Sequence, residues 1–136
     1  MDLYDYFDHD ADIGIIGRGE SLESAFVGAA EAMFAVMGPE GCRGVSETVE
    51  IVFEETDPEL ALVEWLNRLL AEAACRRMFF CRFALAHRGA HWRGSAQGCP
   101  LEAVKTRGPE VKGATLTMLS VSHSAAGWEA RCVVDV

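Results

Sequence analysis

The chain has 136 residues, enough for one domain with its own core. At 50% hydrophobic and 24% charged it has the composition of an ordinary soluble globular protein. The net charge of −9 argues against direct nucleic-acid binding, whose non-specific affinity comes from Lys and Arg on phosphates, and is compatible with docking on a basic protein partner.

No run of about eighteen uncharged apolar residues is present to cross a membrane. The opening MDLYDYFDHD is acidic where a secretory signal is basic and then apolar. A cytoplasmic protein without membrane contact is therefore expected. The five cysteines, Cys42, Cys75, Cys81, Cys99 and Cys132, form no C-x-x-C pair, so neither a disulfide framework nor a zinc ribbon is signalled. Most are expected to be small buried hydrophobes.

Alternation over Leu3 to Phe7 and over Ile13 to Ile16 predicts two short strands with an acidic cluster at their junction. Ser21 is the expected cap of a helix that carries Leu22, Phe26, Ala29, Ala30, Met33, Phe34 and Met37 on one face and stops at Gly38-Pro39. Val49, Ile51 and Phe53 alternate with polar neighbours as a strand. Asp57-Pro58-Glu59 then has the form of a helix start, for a helix running to about Cys75 and burying Leu60, Val63, Leu66, Leu69, Leu70 and Ala73. Trp65 and Asn67 on that helix face either core or partner. Strands are expected over Met78 to His87, His91 to Gln97, Val111 to His123 and Trp128 to Val134. His87 and His91 flank a turn at Gly89 and are read as surface residues. The pattern predicts a single α+β domain over residues 1–136, a mostly antiparallel sheet with two main helices packed on one face.

The chemistry is in the carboxylates. No G-x-S-x-G, Walker lysine or H-E-x-x-H is present, and Gly14-Ile15-Ile16-Gly17-Arg18-Gly19 has the wrong order for a dinucleotide loop, its glycines being read instead as a sharp strand exit. Asp8-His9-Asp10-Ala11-Asp12 stands near one end of the chain and Asp135-Val136 at the other, where a carboxylate is followed by the terminal carboxylate. Ca²⁺ takes about six to eight oxygen ligands and Mg²⁺ about six. Neither run supplies that many, whereas the two ends together would. The competing reading is of aspartates that are merely solvated or bond nearby turn amides. In Gly108-Pro109-Glu110-Val111-Lys112-Gly113, an acid and a lysine two residues apart on a strand would share one sheet face, as a functional lysine or an exposed ion pair.

Taken together, His9-Asp10-Ala11-Asp12-Ile13-Gly14-Ile15, Arg18-Gly19, Ala25-Phe26 with Ala29-Ala30-Glu31-Ala32-Met33-Phe34, Val63-Glu64-Trp65-Leu66-Asn67, Glu110-Val111-Lys112-Gly113-Ala114-Thr115 and Val133-Val134-Asp135-Val136 resemble the archease family over nearly the whole chain. Archeases are understood as small cofactor proteins of RtcB-type RNA ligases, which join RNA ends in tRNA splicing and repair through a guanylated histidine. The resemblance implies a non-enzymatic activator that promotes guanylation and restores the ligase between turnovers. It implies a site for Ca²⁺ or another divalent cation whose ligands map onto Asp12, Asp135 and the terminal Val136. It also makes Lys112 and His9 candidates for contact with the partner. The family commonly has Thr where this chain has Asp10, which either adds a ligand or raises the negative field, and an aromatic followed by His where this chain has Leu116-Thr117. Two rival readings are a stand-alone metal-dependent phosphohydrolase and an acidic chaperone or adaptor whose metal is incidental.

Overall fold

Both helices start where their capping residues stand. In the computed structural model, which describes residues 3–9, 12–42, 44 and 47–136, with Asp8 and His9 in backbone only, α1 spans Leu22–Met37 and α2 spans Pro58–Arg76. The Ser21 hydroxyl accepts from the Ser24 N–H at 3.1 Å, and the Ser24 hydroxyl accepts from the Ser21 N–H at 3.0 Å. Two otherwise orphaned amides are thereby satisfied reciprocally. Asp57 accepts from the Glu59 N–H at 2.9 Å, with Pro58 in the first turn, where a missing N–H costs nothing. α1 stops at Gly38 as expected. α2 closes on Arg77, a non-glycine in the left-handed region at φ 54°.

The strands are β1 (Tyr4–His9), β2 (Asp12–Gly19), β3 (Glu47–Glu54), β4 (Met78–Arg88), β5 (His91–Pro100), β6 (Gly113–Ala114), β7 (Ser120–Ser124) and β8 (Gly127–Asp135). Every pairing among them is antiparallel, as expected, but they form two sheets. One is ordered β1-β2-β8-β6, with β7 also on β8, and the other β3-β5-β4. α1 packs on β2 and β8 of the first sheet and on β4 of the second, so it lies where the two sheets converge. Phe34 fixes that junction, its ring centroid 5.5 to 5.6 Å from those of Phe79, Phe80 and Phe83. Trp65 of α2 is fully buried and donates its indole N–H to the Phe26 carbonyl at 3.0 Å, which ties the helices together and assigns this residue to the core.

Three sequence expectations need correction. The buried stripe of α2 is Ala61, Leu62, Trp65, Leu66, Leu69 and Ala73, while Leu60 is 43% exposed and Val63 and Leu70 are half-buried. The face is turned by about one residue because it is centred on the large Trp65 side chain. The stretch from Val111 to His123 is two short strands, β6 and β7, with a turn between them. Finally, the glycines of β2 lie within an extended strand and serve close approach. A Cβ at Gly17 would collide with the Ala25 carbonyl and the Ala29 amide of α1, and one at Gly14 with the Phe7 ring.

Candidate functional site

β2 begins at Asp12 and β8 ends at Asp135, and the two strands are neighbours. Their antiparallel register ends with Ile13 paired to Val134, so Asp12 and Asp135 are the residues just beyond the last pair. Residues 123 apart in sequence are thus brought to one end of the larger sheet. Asp12 is half-buried and Asp135 exposed, while Val136 is half-buried against the core. Among the described residues no ion pair engages either carboxylate.

On the other side of β8 the backbone N–H of Lys112 donates to the Asp135 carbonyl at 2.7 Å, and Gly113 pairs with Asp135. Lys112 is therefore held beside Asp135. It stands just ahead of β6, with Glu110 in an irregular segment, so the expected strand face shared by these two residues is absent. Both are exposed on either side of the buried Val111, but Glu110 borders a cleft of about 300 Å³ with Phe34, Met37, Leu70 and Met78. The side-chain amide of Asn67 clamps β6 from α2 through both backbone groups of Ala114. Asn67 is thus a positioning residue for the Lys112 segment, a role its place in the sequence left open.

His9 is the last residue of β1 and pairs across the hairpin with Asp12, but its side chain, that of Asp8 and all of Asp10 lie outside the described residues. Among the described residues no three His, Cys, Asp or Glu side chains come together closely enough to hold a metal ion. Of the expected ligands, Asp12, Asp135 and Val136 share one end of the sheet.

Several other titratable groups have structural partners. His87 meets Glu23 at 3.3 Å and stacks on Trp92, and His91 meets Glu54 at 2.6 Å, so the two histidines serve separate surface pairs. Cys99 and Cys132 are buried, Cys42 and Cys81 half-buried and Cys75 exposed, so fewer thiols are core residues than expected. Burial pushes the Cys132 thiol up to about 12. Burial, then hydrogen bonding with Cys81 and Cys99, raises Cys42. Burial, with Tyr4 and Asp5 nearby, raises Tyr6 to about 12, and its hydroxyl donates to the Ala32 carbonyl at 3.0 Å.

The pattern of the Archease protein family (MTH1598/TM1083) matches residues 4–136. The chain belongs to the archease family. A protein archease of Sulfolobus acidocaldarius is 33% identical, with all of both chains covered. One of Methanosarcina mazei is 31% identical over 98% of this chain and 95% of its own. The solution structure of Methanobacterium thermoautotrophicum protein 1598 superposes with a TM-score of 0.84 at 27% identity, covering both chains fully. In this archease no helix among the described residues is long and apolar enough to cross a membrane. Leu116 and Met118, between β6 and β7, are exposed apolar residues, and the pattern of a continuous strand over Val111 to His123 gives no signal of the turn that exposes them.

Proposed function

We propose that this archease is a cytoplasmic, metal-assisted activator of an RtcB-type RNA ligase, promoting its guanylation and repeated turnover in tRNA splicing or RNA repair without itself acting on RNA. The observation that carries the reading is the register that leaves Asp12 and Asp135 just beyond the last β2–β8 pair, Ile13 with Val134. Two like charges at one end of a sheet repel less when a cation lies between them, and hard carboxylate oxygens suit Ca²⁺ or another divalent cation. Asp12 and Asp135 would hold it, with the terminal carboxylate of Val136 and with Asp10 as further oxygen donors. The cation would supply positive charge at an acidic end of the sheet and tie the start of β2 to the end of β8.

Lys112, fixed beside Asp135 by its backbone, is a point charge suited to a carboxylate of the ligase or to nucleotide phosphates. His9, paired with Asp12, is the second contact. The net charge of −9 suits approach to a basic enzyme. Such a partner raises guanylation only by binding the guanylation-competent state of the ligase better than its other states.

The test is a ligase assay. Substoichiometric archease added to its cognate RtcB-type ligase with GTP and Mn²⁺ should speed formation of the guanylated enzyme and permit repeated turnover, and Asp12→Ala and Lys112→Ala should each weaken that effect. An unchanged guanylation rate would overturn the reading, and phosphatase activity of the archease alone that tracks Asp12 and Asp135 would replace it with the phosphohydrolase.

A further inference from the structure

Between β6 and β7 the chain makes a tight turn that packs Leu119 against the core and exposes two other apolar side chains. Leu116 is 65% exposed and Met118 is 49% exposed. Met118 also sits at φ 52°, in the left-handed region that a non-glycine residue occupies only when its surroundings hold it there. Those surroundings are hydrogen bonds to β8 and within the turn. The Val133 carbonyl accepts from both the N–H and the hydroxyl of Thr115, at 3.0 and 2.8 Å, and the Val133 N–H donates to the Thr117 carbonyl at 3.2 Å. Within the turn, the Thr117 N–H donates to the Thr115 hydroxyl at 3.2 Å and the Leu119 N–H to the Leu116 carbonyl at 3.4 Å. The tip is thus pinned to β8.

Its anchor point, Val133, is two residues before Asp135, about 7 Å at the rise of a strand. Lys112 is held at Asp135 itself. One end of the sheet therefore carries, within a few residues of one another, a pinned apolar tip, a lysine and the Asp12 and Asp135 carboxylates. An apolar centre bordered by charge is the anatomy of a protein-binding surface, in which a few anchors set the lifetime of the complex and the charges steer approach. Net charge chooses the occupant. A second copy would bring −9 against −9, whereas a partner with basic residues around an apolar socket meets both features.

We propose that Leu116 and Met118 are the apolar anchor by which this archease docks on its partner protein. The inference rests on the reading above in taking that partner to be the RtcB-type ligase. The anchor controls how long the complex lasts, while Lys112 and the carboxylates control how fast it forms.

The experiment compares wild type with Leu116→Ser/Met118→Asn in binding to the immobilised cognate ligase, at several salt concentrations. Asn tolerates the left-handed backbone and both side chains are exposed, so the melting temperature should not move, and it is measured alongside. The expected result is a dissociation rate raised at least tenfold in the double variant, with an association rate and salt dependence like those of wild type. Wild-type binding with an unchanged dissociation rate in the double variant would overturn the anchor and leave the ligase reading standing. No binding by wild type would overturn both. Sedimentation showing wild-type self-association that the double variant loses would make a second copy the occupant, which also overturns the proposal.

Discussion

The side chain of Asn67 pairs with Ala114 as a neighbouring strand would, accepting from its N–H at 2.8 Å and donating to its carbonyl at 3.2 Å. β6 is only two residues long and hydrogen-bonds to β8 on its other side, so this amide closes its open edge. The lysine next to it and the turn that follows inherit that rigidity.

Asn67→Ala removes both bonds and leaves two backbone groups of a half-buried strand without their partner. The expected loss of stability is about 1–3 kcal/mol, measured by urea denaturation. Exchange protection of the Ala114 amide should fall with it. Asn67→Asp is the sharper variant, because it keeps the acceptor and sets a carboxylate oxygen against the Ala114 carbonyl. It should be at least as destabilising as Ala at neutral pH.

The glycines of the larger sheet divide by what lies over them. Gly17→Ala would drive a methyl into the backbone of α1 at Ala25 and Ala29, neither of which can rotate away, and should cost about 3 kcal/mol. Gly113→Ala meets only the Asn67 side-chain oxygen at an ordinary 3.5 Å and should change stability by less than about 1 kcal/mol. Thermal melts of the two variants check the contrast, and equal losses would mean that β2 does not lie against α1 as described.

Local chemistry was legible in the sequence, and distant geometry was not. Ser21, Asp57-Pro58 and Gly38 announce the helix ends because capping is settled within four residues of chain. The alternation of Val49, Ile51 and Phe53 likewise gives the buried face of β3. The face of α2 was harder, since leucines occupy more than one side of it and only tertiary packing shows that Trp65 sits at the centre and Leu60 at the edge. Thr115 to Val121 is rich in strand formers, and nothing in those residues signals the left-handed Met118 that interrupts them. As for the site, counting oxygens suggests that the two acidic runs meet, but the register that brings Asp12 and Asp135 to one end of the sheet is set by contacts more than a hundred residues apart.

Alkaline pH should destabilise the fold in a defined window. Burial holds the Cys132 thiol neutral up to about 12, against 9.0 for a free thiol, so between those values the folded chain binds more protons than the unfolded one. Stability therefore falls as pH rises from about 9 toward 12, and Tyr6, also raised to about 12, acts in the same direction. Cys132→Ala removes one of these titrations and should flatten the decline in melting temperature over that range. At neutral pH a thiol reagent should label exposed Cys75 first and reach Cys99 and Cys132 only on unfolding.

If Asp12 and Asp135 share a divalent ion, Ca²⁺ binds the folded chain and not the unfolded one, so it should raise the melting temperature. At a free concentration one hundred times the dissociation constant the gain is about 2.7 kcal/mol, and a chelator should reverse it. Asp135→Asn keeps the shape and removes one charge, and calorimetry should find Ca²⁺ affinity lowered by roughly tenfold or more, with Asp12→Asn behaving alike. The two losses should not add in the double variant, because once one carboxylate is gone the ion has little left to bind. Extending the chain beyond Val136 separates the terminal carboxylate from its neighbour. A C-terminal tag should therefore weaken Ca²⁺ binding while an N-terminal tag leaves it unchanged. Equal affinity in the two tagged forms would remove the terminal carboxylate from the site without touching the aspartates, and unchanged affinity in both Asn variants would remove the site itself.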